Sequence, residues 1–92
     1  MKIVAGKTIW KYQIIMDRIV EFTIPENAKV LSVGTQHGLG AFWVMFDPNK
    51  PKKPFKYTVI PTGGKVPPNM EYKGTFQLDA GKFIGHLFTS RG

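Results

Sequence analysis

At 92 residues, with no cysteine and a net charge of +7, the chain is one small domain that cannot rely on disulfides or a zinc ribbon. Thirteen Lys and Arg against six Asp and Glu favour anionic partners: nucleic acid, phosphorylated small molecules or acidic proteins. Arg18 and Arg91 are the only arginines, which argues against sequence-specific duplex reading, a task that leans on bidentate Arg–base contacts. A chain this short hides roughly 60–65% of the surface it exposes when unfolded, so modest stability is expected unless subunits associate. The apolar run near Met1 is too short for a signal peptide, and no stretch approaches the roughly 18 apolar residues of a membrane span. A cytoplasmic protein with no membrane partner is expected.

Seven stretches alternate apolar and polar residues, and none has a helical period, which predicts an all-β domain: a small antiparallel sandwich or barrel-like fold of about seven strands. The first strand is residues 7–14, with Thr8, Trp10, Tyr12 and Ile14 on one face and Lys7, Ile9, Lys11 and Gln13 on the other. After a turn at Asp17-Arg18, strand 19–24 points Val20, Phe22 and Ile24 inward, and Pro25-Glu26-Asn27 ends it. Strand 29–36 sets Val30 and Ser32 on one face, Leu31 and Val33 on the other. His37-Gly38-Leu39-Gly40 is a tight connection whose glycines supply positive φ.

Strand 41–47 is apolar on both faces, so it is central or covers a contact in a homo-oligomer. Three prolines between Pro48 and Pro54 exclude a regular strand there. Strand 55–60 follows, then the longest irregular segment, 61–69, a loop of the length at which function concentrates. Strands 72–78 and 83–89 close the domain as a hairpin across Asp79-Ala80-Gly81.

Catalytic groupings are scarce. His37 and His86 lie far apart in sequence with no carboxylate near either, and two histidines without a third ligand do not make a transition-metal site. No enzyme activity, metal or cofactor is expected. Thr62-Gly63-Gly64-Lys65 fails the Walker pattern, because Val66 and two prolines follow the lysine. Two successive glycines beside an ammonium can still form an anion nest, or simply a loop shaped by backbone needs. Lys50, Lys52, Lys53 and Lys56 are either a solvated loop guarding an edge or a phosphate-contacting rim, with Phe55 and Tyr57 interleaved as in a stacking platform or as core residues. Trp10, Tyr12, Phe42 and Trp43 read as core or interface, with one Trp stacking on a purine as the alternative.

Lys7-Thr8-Ile9-Trp10-Lys11-Tyr12, the run from Pro25 through Ala28 to Val33, Gln36-x-Gly38, Trp43 with Asp47, Thr62-Gly63, Gly74-Thr75-Phe76-Gln77 and His86-Leu87-Phe88 form an ordered set. In that order they resemble a family of very small, functionally uncharacterised phage and prophage proteins, over roughly residues 7–88. The resemblance implies a phage origin, a compact β fold and the cytoplasm of an infected bacterial host. Where such relatives carry His-Pro after Thr-Gly, this chain has Gly64-Lys65-Val66-Pro67, which puts the loop's ligand preference in question. Small phage β proteins without catalytic groups often act against host defence, by occluding a protein or sequestering a nucleotide signal.

The expectation is therefore a self-associating, non-enzymatic protein that sequesters a phosphorylated or cyclic nucleotide immune signal. Lys65 with a lysine of the 50–56 loop (Lys53 or Lys56) would meet phosphates, joined by the backbone N–H groups of Gly63 and Gly64. Trp10 or Trp43 would stack on the base, and Gln36, His37, Thr75, Gln77 and His86 would read ring edges. Two alternatives remain: a nucleic-acid-binding accessory protein acting through the basic loop, and an inhibitor of a host defence protein by direct contact.

Overall fold

The alternation resolves into seven strands in the computed structural model, which describes residues 6–92. In chain order these are β1 (Thr8–Gln13), β2 (Val20–Pro25), β3 (Lys29–Gln36), β4 (Leu39–Phe46), β5 (Lys52–Pro61), β6 (Glu71–Leu78) and β7 (Phe83–Thr89). All pairings are antiparallel, in a three-stranded sheet ordered β1-β4-β3 and a four-stranded sheet ordered β2-β5-β7-β6. The two sheets pack as a sandwich, the predicted class. β5 and β6 both run antiparallel to β7, so they point the same way. The 62–70 segment must therefore return along the sheet as well as step past β7, and this sets its length.

Inward residues of both sheets meet in one core of Ile24, Phe42, Val44, Phe55, Tyr57, Phe76 and Leu87, with Phe22 packed against it. Phe42 lies edge-on to Tyr57 at 5.2 Å and stacks on Phe55 at 6.2 Å. Each such side chain contributes about 1.5–3 kcal/mol on burial, so these rings dominate the stability. Phe55 and Tyr57 are thus core residues and unavailable as a stacking platform. β4 is the middle strand of its sheet, which accounts for its two apolar faces: Phe42, Val44 and Phe46 are buried, and Trp43 and Met45 are half-buried on the outer side.

Three local features depart from strict alternation. A β-bulge at Leu31 lets Val30 and Val33 both face the core opposite Val44 and Phe42, and leaves Leu31 exposed. A second bulge at Lys73 puts Tyr72 and Thr75 on one face although they are three apart. The third corrects the expectation that prolines exclude a strand before Phe55, because β5 begins at Lys52 and pairs Pro54 with Thr23. Lys56 exchanges hydrogen bonds with Ser90 on the β7 side, at 3.0 Å through its N–H to the Ser90 hydroxyl and 2.9 Å through its C=O. By alternation the missing N–H of Pro54 falls on that same side, past the end of β7, where no ladder bond is lost.

The β3–β4 connection is a two-residue turn with both residues left-handed, His37 at φ 54° and Gly38 at φ 77°, matching the right-handed twist of the hairpin. β6 and β7 form the expected hairpin across Asp79-Ala80-Gly81, three residues that all have positive φ, at 53°, 55° and 86°. Arg91 then clasps one end of the sandwich. Its guanidinium donates to the carbonyls of Ile24 at 2.9 Å, Pro25 at 3.3 Å, Lys53 at 2.8 Å and Pro54 at 2.8 Å, and sits over the Phe55 ring. The Gly92 carbonyl accepts from Val30 N–H at 2.8 Å, which ties β3 to the same corner.

Candidate functional site

The two sheets meet along two seams. At the β3/β6 seam the backbones come so close that a Cβ on Gly74 would lie 2.7 Å from Val33 Cβ. At the β1/β2 seam, Tyr12 and Phe22 touch at 5.1 Å, but beyond them the strands part. The gap is a slot of about 210 Å³ lined by Trp10 and Tyr12 of β1, Thr23–Pro25 of β2, Phe46, Pro48 and Lys52. Trp10 tilts against Phe46 at 5.9 Å with 56% of its surface exposed, and Ile24 forms the buried floor. Burial raises the Tyr12 hydroxyl pKa above its ordinary value. The slot offers a flat ring with free area, apolar walls and one lysine, Lys52, in its lining. Chemically, that is a place for an aromatic ring carrying negative charge outside it.

A second arrangement lies on the outer face of the four-stranded sheet. The register puts Tyr72 opposite Phe88, Thr75 opposite His86, and Gln77 opposite Ile84. His86 is engaged at both ring nitrogens, Nδ1 with Thr75 Oγ1 and Nε2 with Thr62 Oγ1, each at 2.9 Å. Thr75 Oγ1 also lies 2.6 Å from the Tyr72 hydroxyl. The result is a row of four hydrogen-bonding side chains across β6, β7 and the end of β5. A hydroxyl stands where a catalytic His would have an orienting carboxylate. Among the described residues no three His, Asp or Glu side chains cluster to hold a metal.

The sequence-predicted residues are divided among these places. Thr75 and His86 join in the hydroxyl–imidazole row, with Gln77 beside them on the same face. Lys56 lines a separate groove of about 470 Å³ with Ile19, Pro54, Ser90 and the Pro67–Met70 end of the crossing loop. Gly63 is left-handed at φ 88°, and Gly64 packs on Ile60 with its N–H donated to Pro61 O at 2.8 Å, so that N–H is committed within the loop. Lys65 is exposed on the same loop. On the three-stranded sheet, Gln36 accepts a hydrogen bond from Lys11, Trp43 is half-buried and His37 occupies the β3–β4 turn. Lys53 is exposed and contributes its carbonyl to the Arg91 clasp. Trp10 alone among the twelve lies in the slot, and the lysine that lines it is Lys52.

Residues 5–92 match the family model described as Domain of unknown function (DUF7352). The chain belongs to the DUF7352 family. No curated protein and no solved structure matches it. In this DUF7352 chain, Tyr72 and Arg91 escaped the sequence reading as site residues, whereas Lys52 was read within the basic 50–56 cluster and Thr62 within the Thr62–Lys65 loop, neither with the neighbours the structure gives it. Tyr72 was hidden by the bulge that separates it from Thr75, which breaks the two-residue period. The pairing of Thr62 with His86 carried no local signal, because the two are 24 residues apart.

Proposed function

We propose that this DUF7352 protein is a non-enzymatic binding protein that sequesters a phosphorylated nucleotide, a phage-derived sponge for a nucleotide immune signal in the host cytoplasm. One observation carries the reading: Trp10, more than half exposed, and Lys52 line the same slot. At about 210 Å³ the slot is smaller than the roughly 300–1,000 Å³ of pockets that engulf a whole drug-sized ligand, so it takes one ring and leaves sugar and phosphate outside. The base stacks on Trp10, and its phosphate meets Lys52 with Lys50 and Lys53 nearby in sequence. The ordered phage-like motifs support the origin, and the charge of +7 supports an anionic ligand.

The same geometry favours a second reading. A slot that admits a single ring also suits one base of a single-stranded nucleic acid whose backbone runs along the lysines outside. Native mass spectrometry of the purified protein with cyclic and ADP-ribose-derived nucleotides tests the first reading: a discrete mass shift is expected, with the ligand recovered intact. Trp10→Ala should weaken binding about tenfold or more, the usual scale of losing a stacked base, while Trp43→Phe leaves it unchanged. If no nucleotide of the panel shifts the mass, the sponge reading fails. Single-strand binding would instead show a salt slope of about −0.7 per phosphate contacted.

A further inference from the structure

Ile9 and Trp10 alternate to opposite sides of β1, so Trp10 lines the slot while Ile9, Lys11 and Gln13 point outward from the three-stranded sheet. On that outer face the register sets Lys11 and Ser32 on either side of Trp43, and Ile9 and Lys29 on either side of Met45. Trp43 leans over Gly34, where a Cβ would lie 3.9 Å from its Cζ3, and the ring is only half-buried. Gln36 completes the face, and its side-chain carbonyl accepts from the Lys11 ammonium across β4. That bond holds a positive charge over the middle of the sheet and uses one of the three donors of the ammonium.

Charge identifies the ligand. None of the six acids lies on a strand of this sheet: Glu21 and Glu71 belong to β2 and β6, and Asp17, Glu26, Asp47 and Asp79 to connections. Glu26 bears on Arg91 at the clasped corner. Asp47, just past β4 at the end where Lys7 leads into β1, accepts from the Asn49 N–H at 2.9 Å. Among the described residues no carboxylate pairs with Lys11 or Lys29. The outer face of the other sheet differs, since Lys56 has Glu21 in register and Lys73 pairs with Glu71 at 3.4 Å. Lys52 and Lys53 sit on β5 of that other sheet and take no part here.

A half-buried ring on a sheet face, with one lysine beside it and a second one pair along, suits an unpaired base and its neighbouring phosphates. Gln13, Gln36 and Ser32 supply donors and acceptors that base edges use and that lipid tails would leave unpaired. A duplex hides the faces of its bases, and neither arginine lies on this sheet to read a groove. We infer that the outer face of β1-β4-β3 binds single-stranded nucleic acid without sequence preference, stacking a base on Trp43 and setting phosphates on Lys11 and Lys29. The site is separate from the slot and lies on the opposite side of the same sheet.

Trp10 and Trp43 are the only tryptophans, so the fluorescence of each can be followed alone. In Trp10→Phe, oligothymidylate or oligouridylate of about 12 nucleotides should quench Trp43, with a Kd of about 1–100 μM near physiological salt, the range of sequence-independent contacts. In Trp43→Phe the emission of Trp10 should not change. Lys11→Ala and Lys29→Ala, both at exposed positions, should each reduce the salt slope by about 0.7, whereas Lys82→Ala in the β6–β7 turn should leave it as it is. Trp43→Leu, checked for folding by circular dichroism, should bind about tenfold more weakly. No quenching by either oligonucleotide would overturn the inference, and quenching confined to Trp10 would do so by moving the strand to the slot. An equal loss of slope in Lys82→Ala would overturn it by reducing the binding to diffuse attraction. Tighter binding to phosphatidylserine vesicles than to either oligonucleotide would overturn it by putting a membrane in the strand's place.

Discussion

The two seams of the sandwich are built in opposite ways. At β3/β6 the backbones close up because side chains are missing. Gly74 makes room for Val33, and Gly40 and Gly85 make room for Phe76, whose ring would lie 2.8 Å from a Cβ at either glycine. At β1/β2 the strands stay apart because the side chains are large: Trp10, Tyr12 and Phe46 on one side, Ile24 and Pro25 on the other. A closed seam transmits packing, whereas an open one leaves apolar surface for a ligand. The position of the slot is therefore a consequence of where the glycines are absent.

The hardest way to break this contrast is to release the clasp at the foot of the open seam. Arg91→Ala strips four carbonyls of their charged donor, two of them on slot residues Ile24 and Pro25, and should cost about 3 kcal/mol in urea unfolding. Burial lowers the Arg91 pKa while Glu26 opposes that shift. Arg91→Lys should recover only part of the loss, because an ammonium cannot reproduce the planar fork. A loss under 1 kcal/mol for the alanine variant would show that the clasp is incidental.

At the closed seam, Gly74→Ala should cost about 1–3 kcal/mol by overpacking against Val33. Combining it with Val33→Ala should return part of that cost, a coupling of at least about 0.5 kcal/mol in a double-mutant cycle. Strict additivity would mean that the strands are free to shift apart.

The alkaline limb of stability reports on the packing beneath the slot. Burial raises the Tyr57 pKa above 10.0, opposed by the Ile15 N–H donated to its oxygen at 2.9 Å and by Arg18. Above about pH 10 the unfolded chain releases this proton while the folded chain keeps it, so stability falls as pH rises toward the folded value. Below that range Tyr57 contributes no slope. Tyr57→Phe should flatten the fall in urea midpoint between about pH 9 and 11. An unchanged slope would locate the alkaline sensitivity elsewhere.

The smallest effect on stability is expected at the residue on which the proposed function rests. Trp10 is more than half exposed, so Trp10→Ala should change stability by less than about 1 kcal/mol while nucleotide binding weakens about tenfold or more. A large destabilisation would make Trp10 a structural wedge and not a ligand platform.

Much of the fold was legible because it rests on the two-residue period of strands. Residues 29–36 and 83–89 were bounded as they stand, and the inward set Val20, Phe22 and Ile24 packs as expected. The period failed where one extra residue entered a strand, at Leu31 and at Lys73, since a bulge flips every later side chain without any composition signal. Pro54 misled because a proline's effect depends on which side its missing N–H faces, and that depends on where β7 ends.

Composition, spacing and charge by themselves determined an all-β domain of seven strands, a ring-rich core and an excess of lysine, because burial and alternation are local properties of a chain. Only the tertiary structure decided that Trp10 and Lys52 line one slot, that His86 is held between Thr62 and Thr75, and that Arg91 closes the corner. These contacts join residues 11 to 67 apart in sequence. They depend on strand order and register, which pairing across the two sheets sets and no local pattern encodes.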